Sequence, residues 1–232
     1  MNTSRSGRST ALERAIDKAI SIPAARIEER VARMRRDRPG ADAAELVEMA
    51  ASRFRRDAGL SSGAVGASAA IPAISTGAAA ALTVGQSAAF IASAVTYVLT
   101  VAEIQGVHVV DTERRRALVL SALLGKEGSD AVQGQLGLST MFWAAQVLMQ
   151  MPLPSVKSIN AHLIKRVAKR SAAKGGALAL GRLIPFGIGA AIGWSGGRAL
   201  ANQVIEGAQA ALGPQLLVGG YVDNSRVEVI DA

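Results

Sequence analysis

Histidine is the residue type best suited to acid–base or metal chemistry in this chain, because the sequence contains no cysteine. The two histidines, His108 and His162, stand 54 positions apart, without the Glu-x-x-His or His-Glu-x-x-His spacing that brings metal ligands onto one helix face. The sequence also lacks the phosphate-binding loops GxxxxGK[ST] and GxGxxG and the serine-hydrolase elbow GxSxG. We therefore expect a protein that is not an enzyme and that binds no metal and no cofactor.

Charge is distributed unevenly along the chain. It has 26 Lys and Arg against 18 Asp and Glu, yet residues 58–102 contain no charged side chain, and residues 131–182 contain basic residues and no acid. An uncharged middle in a basic chain favours a partner that is apolar and anionic, such as a membrane or lipid. Nucleic acid is not a predicted partner, because aromatic residues make up only 3% of the chain and no recognition motif accompanies the basic excess.

The most basic segment predicts a helix with one apolar side. Val156, Ile159, Leu163 and Val167 recur at helical spacing, with cations between them. Such a helix either lies in the headgroup layer of an anionic membrane or forms an ordinary surface of a folded protein. The residues predicted to contact lipid are Lys157, Lys165, Arg166, Lys169, Arg170 and Lys174.

A line of polar side chains crosses the uncharged region on its second predicted helix, beside an apolar face. Such a line should not face hydrocarbon. It either borders a path for a lipid or another ligand or makes hydrogen bonds between helices. The candidate path residues are Gln86, Ser93, Thr96, Thr100 and Glu103, and the apolar face beside them comprises Phe90, Ala94, Tyr97, Val101 and Ile104.

A double GxxxG pattern, formed by Gly189, Gly193 and Gly197, predicts a helix with one smooth face. Another backbone can approach such a face closely because glycine has no side chain. The partner helix lies either within residues 63–104 of the same chain or in a second copy, which would make the protein a homo-oligomer.

Local signals also predict where several helices begin and end. Residues 38–40 (Arg-Pro-Gly) should break an amphipathic helix, and Asp42 is a plausible N-cap for the next one, with Glu45 three residues later. Asp111 should cap a further helix, and Gly125 should end it.

The uncharged region predicts a helical hairpin. A helix should begin near Ser61, bend at Pro72 and turn at residues 83–85 into a second helix that ends at Glu103 or Ile104. In the helix after Asp111, Arg114–Arg116 should lie on the outer side, opposite inward-facing leucines.

These patterns together predict an all-α fold, a helical bundle with a central Ala/Gly-rich hydrophobic hairpin and a C-terminal glycine-zipper helix. The expected regions are a basic amphipathic N-terminal part (1–57), a hydrophobic helical domain (58–212) and a tail (213–232). Three alternatives are open for residues 131–156. They form a buried core helix, or the helices of the chain cross the membrane an even number of times, or no helix crosses it. No secretory signal is recognisable at the N-terminus, so we expect a cytoplasmic protein at the inner face of the cell membrane.

From about residue 58 to residue 209 the order of features resembles the EcsC family. The segments that carry the resemblance are AEIQG (102–106), TERRRALVLSALLG (112–125) and RLIPFGIGAAIGWSGGRALANQVIEGA (182–208). The resemblance implies a bacterial, all-helical, membrane-associated protein with no settled activity. The chain departs from the family pattern at Gln105, where a Tyr is expected, and at Gln86, where an acid is expected. Any chemistry that depends on those two residues should be absent here.

The sequence therefore predicts a non-enzymatic helical protein that associates with membrane or lipid at the cytoplasmic face and docks by its basic segments. The alternative is a soluble all-helical interaction or assembly subunit with no membrane role.

Overall fold

The computed structural model describes residues 13–68, 76–137, 142–180 and 188–213, with side chains for all of these except 63–87, 146, 168 and 170–193. Within these ranges the chain is helical and forms no strand, which confirms the predicted all-α class. The helices are α1 (13–20), α2 (Ala24–Asp37), α3 (Ala43–Ser68), α4 (Thr76–Ile104), α5 (Thr112–Leu124), α6 (Lys126–Leu136), α7 (Leu153–Leu180) and α8 (Ile188–Leu212), with a π-helical turn at Ala144–Leu148.

The predicted helix ends are confirmed. Asp42 accepts a hydrogen bond from the Glu45 amide (2.8 Å), and Asp111 accepts one from the Arg114 amide (3.0 Å), so each carboxylate satisfies a free N–H in the first turn. Gly125 ends α5 at φ +71°, a conformation that residues with a Cβ rarely adopt. α2 ends at Asp37, directly before the Arg-Pro-Gly segment.

The core lies between α8 and the helices around it. α8 packs against α3 along much of its length and contacts α5 and α6 on other sides. α4 covers α3 through an aromatic cluster in which Phe54 stacks on Tyr97 (5.0 Å between centroids) and contacts Phe90 (5.8 Å). The apolar stripe predicted on α7 faces this core, and so does an apolar stripe on α2. The buried stripe residues are Ile27, Val31, Met34, Val156, Ile159, Leu163 and Val167.

Two features of the predicted hairpin are wrong. α3 begins at Ala43 rather than near Ser61 and continues through residues 57 and 58 without a break. Residues 83–85 do not form a turn, because α4 is helical from Thr76 to Ile104. A single glycine costs a helix only about 1 kcal/mol, which the continuous hydrogen-bonding of a 29-residue helix can outweigh. The predicted bend at Pro72 lies outside the described residues.

The prediction that Arg114–Arg116 all face outward is also wrong, since Arg115 is buried. Its guanidinium donates hydrogen bonds to the carbonyl oxygens of Val109 (2.6 Å), Ile22 (2.6 Å) and Ile20 (3.3 Å). These carbonyls belong to the loop before α5, to the end of α1 and to the loop that follows α1, so Arg115 holds the end of α1 against the bundle. Burial accordingly lowers the pKa of Arg115.

Residues 131–156 do not form one helix. α6 ends at Leu136, Gly137 adopts a left-handed conformation (φ +65°), and the π-helical turn places Leu148 in the core. The indole of Trp143, fully buried, donates to Ser129 Oγ (2.9 Å). The described residues of this segment therefore contribute side chains to the core between α6 and α7.

Candidate membrane-docking surface

The outer face of α7 is basic. Lys157, Lys165, Arg166 and Lys169 are all exposed, while the apolar stripe of the same helix faces the core. The helix is fixed at its start by Asn160, whose amide nitrogen donates to the Glu113 carbonyl (2.9 Å) on α5. Four of the six predicted lipid-binding residues thus lie on one rigid surface. Arg170 and Lys174 belong to the same helix, but their side chains are not described.

One of these cations has partners within the protein. Arg166 Nε donates to His162 Nε2 (2.9 Å), and both residues line an open groove of about 530 Å³ between α6 and α7. Glu127 and Asp130 of α6 line the same groove. Among the described side chains, no group of three potential ligands is arranged to hold a metal ion. Lys157, Lys165 and Lys169 are exposed and do not line this groove.

The polar line on α4 forms hydrogen bonds within its own helix and at its end. Thr96 Oγ1 donates to the Ala92 carbonyl (2.8 Å), and Thr100 Oγ1, fully buried, donates to the Thr96 carbonyl (2.6 Å). Glu103 pairs with His108 (2.9 Å). Ser93 is half-buried, and the side chain of Gln86 is not described. A ligand path along this line stays a prediction.

Gly197 on α8 permits a close contact with α3. A Cβ built at Gly197 would collide with the Ala58 carbonyl oxygen and would lie 2.8 Å from Ser62 Cβ. The adjacent Gly196 has no atom within 4 Å of such a Cβ. Gly189 and Gly193 lie on the same helix, but their surroundings are not described, so the role of the full glycine face stays a prediction.

α3 and α8 run antiparallel, because residues later in α3 contact residues earlier in α8. Arg55 Nε donates to Asn202 Oδ1 (2.9 Å), and one turn further along α3, Gly59 lies against Trp194. After Gly59, α3 has no charged residue, and α8 has none before Trp194. We call residues 58–68 of α3, the beginning of α4 from Thr76, and residues 188–197 of α8 the charge-free end.

Three arginines stand at the border of the charge-free end. Arg53 and Arg56 on α3 are exposed, and Arg198 on α8 is partly exposed, with its guanidinium 4.7 Å from the centre of the Trp194 ring. We call Arg53, Arg56 and Arg198 the border cations. Burial lowers the pKa of Arg30 on α2, and the positive charge of the nearby Arg53 lowers it further.

Sequence reasoning missed the exposed apolar residues beside the border cations. Leu60 is 59% exposed and Trp194 is 43% exposed. Trp194 lies in the GxxxG segment, where the sequence signal for it is one large aromatic residue among small ones. In the part of the chain that the structure describes, no helix has both the length and the apolar character needed to cross a bilayer.

No protein-family model, curated protein or solved structure matches the chain. The resemblance to the EcsC family stays a prediction.

Proposed function

We propose that this chain is a non-enzymatic, EcsC-like helical protein that binds anionic membrane at the cytoplasmic face of the cell membrane. The observation that supports this most strongly is the one-sided arrangement of α7. Its apolar stripe is buried and its described cations point to solvent. The docking surface is therefore a fixed array of charges, distinct from an amphipathic helix that inserts its apolar side.

The number of exposed lysines on α7 sets the affinity for anionic membrane that we expect from this surface. A basic residue near an anionic membrane surface contributes about 1 kcal/mol. Lys157, Lys165 and Lys169 together should then contribute about 3 kcal/mol, or roughly a hundredfold in affinity at low salt. Arg166 should contribute less, because Glu127 and Asp130 lie across the groove from it.

The test compares two triple variants that remove the same charge. In the first, Lys157, Lys165 and Lys169 are each replaced by Gln. In the second, three exposed arginines of α2 are replaced by Gln: Arg26, Arg35 and Arg36. Binding to vesicles with and without anionic phospholipid is measured by co-sedimentation over a salt series, and circular dichroism checks that each variant is folded.

We expect the α7 variant to lose most of its binding to anionic vesicles and much of its salt dependence, while the α2 variant keeps more of both. Equal losses in the two variants would mean that net charge, and not the α7 surface, governs binding. Failure of the unaltered protein to bind any vesicle would refute the proposal and favour the soluble interaction subunit.

A further inference from the structure

The open groove between α6 and α7 has walls of opposite charge. Arg166 and His162 line it from α7, and Glu127 and Asp130 line it from α6. Among the described side chains, no ion pair joins Arg166 to either acid. The groove therefore holds the two signs of charge apart, and a molecule that carries both signs can contact both walls.

The guanidinium of Arg166 is oriented to bind an anion. Its Nε donates to His162 Nε2 (2.9 Å), and its two terminal nitrogens have no hydrogen-bond partner among the described residues. Parallel donation from two nitrogens of one guanidinium suits a phosphate or a carboxylate. Arg166 therefore provides a forked anion contact at one wall of the groove.

The opposite wall suits a primary ammonium. Glu127 and Asp130 are exposed carboxylates three positions apart, so they share one face of α6. A primary ammonium donates hydrogen bonds to carboxylates, whereas a quaternary ammonium has no N–H and is held in proteins by aromatic rings. None of the described residues that line the groove is Phe, Tyr or Trp.

The space between the walls can accept a small molecule. The groove has a volume of about 530 Å³, within the range of small-molecule sites, and Ala131 and Gly134 also line it. A Cβ built at Gly134 would have no atom within 4 Å. Because the groove is open to solvent, a headgroup that stays attached to a membrane can enter it.

The basic wall continues into the docking surface of α7. Four exposed residues follow the i, i+3, i+4, i+7 spacing of one helix face: His162, Lys165, Arg166 and Lys169. A membrane that meets the lysines therefore also lies beside the groove. The phospholipid headgroup that joins a phosphate to a primary ammonium is phosphoethanolamine.

We propose that this groove binds the phosphoethanolamine headgroup of a phospholipid, with the phosphate on Arg166 and the ammonium on Asp130. This inference depends on the membrane docking proposed above and adds the class of lipid that the docked protein selects. A choline headgroup carries the same phosphate without an N–H donor, so it is the matched comparison.

The first test uses two sets of vesicles with the same fraction of anionic phospholipid. The remaining lipid is an ethanolamine phospholipid in one set and a choline phospholipid in the other. Co-sedimentation measures the affinity for each set. We expect about two- to fivefold tighter binding to the ethanolamine vesicles, which is the effect of one exposed ion pair.

Two variants should abolish this preference. Asp130→Asn removes the ammonium contact, yet it should tighten binding to choline vesicles because it removes an acid beside the basic helix. Gly134→Leu fills the groove without changing the charge, at a position where the added side chain meets no neighbour. The control Asp37→Asn makes the same charge change at an exposed site at the end of α2 and should keep the preference. Circular dichroism checks that each variant is folded.

Soluble headgroups locate the site and distinguish a lipid from a free ligand. Glycerophosphoethanolamine and glycerophosphocholine are titrated into the protein while NMR follows the ring signals of the two histidines. The His162 signals should shift at lower concentrations of the ethanolamine compound than of the choline compound. His108, in the loop between α4 and α5, should not shift.

The outcomes separate this inference from the proposed function. Equal affinity for the two sets of vesicles would overturn the inference and leave docking through α7 intact. A preference that survives in both Asp130→Asn and Gly134→Leu would overturn the groove as its site. A shift of His162 without any preference between the vesicles would mean that the ligand is a soluble zwitterion and not a lipid. Absence of binding to every vesicle would refute both the docking and the lipid assignment.

Discussion

Replacing Arg115 with Met should lower the free energy of unfolding by about 2–4 kcal/mol. The substitution keeps much of the aliphatic stem of the side chain but removes every hydrogen-bond donor. Three backbone carbonyls then lose their guanidinium partner: Val109 and Ile22, each at 2.6 Å, and Ile20, at 3.3 Å.

The magnitude follows from these three bonds. A buried polar group left without a partner costs about 1–3 kcal/mol, so the two short bonds alone account for about 2–6 kcal/mol. The bond to Ile20 is long and adds little. Removing the guanidinium also relieves the cost of burying a charge, which is the cause of the lowered pKa of Arg115. The two opposing effects leave a net loss of about 2–4 kcal/mol, which is large beside the 5–15 kcal/mol typical of a whole domain.

The neighbouring residue provides the control. Arg116 pairs with Asp17 (2.8 Å), but the two side chains are 25% and 54% exposed, so Arg116→Met should cost at most about 1 kcal/mol. Urea unfolding followed by circular dichroism gives the free energy for each variant. Hydrogen exchange should show that Arg115→Met loosens residues 13–22 first, because Arg115 holds the end of α1. Equal losses for the two variants would refute the role assigned to the buried guanidinium.

Two further predictions concern packing and pH. Gly197→Ala should destabilise the protein by about 1–3 kcal/mol, because its Cβ meets the backbone of α3. Gly196→Ala should stabilise it by up to about 1 kcal/mol, because that position is open and Ala is the better helix former; thermal melts that rank the two in the opposite order would contradict the observed packing. The hydroxyl of Tyr97 is buried with no hydrogen-bond partner among the described residues, and burial raises its pKa. Since an unfolded tyrosine ionises near pH 10, stability should be complete below about pH 10 and fall as the pH rises further. Tyr97→Phe should be at least as stable as the unaltered protein at neutral pH and should lose less stability above about pH 10. Urea unfolding at neutral pH and above about pH 10 measures this. An equal loss of stability at high pH in the two proteins would contradict the prediction.

The sequence by itself determined the features that depend on neighbouring residues along the chain. The all-α class follows from helical periodicity and a composition of small aliphatic residues. The caps at Asp42 and Asp111 and the stop at Gly125 follow from side chains and backbone freedom within one turn. The buried stripe of α7 was predictable for the same reason, because residues three and four apart share a helix face.

Only the tertiary structure decided which distant segments meet. Arg115 stands in a run of three arginines, and nothing local distinguishes it from Arg114 or Arg116. It is buried because carbonyls more than 90 positions earlier in the chain converge on it. The close approach of Gly197 to Ala58 arises in the same way, from the packing of α8 on α3. Such contacts depend on how whole helices pack, and helix packing is selected by the fit of many surfaces at once, which a local pattern of residues does not contain.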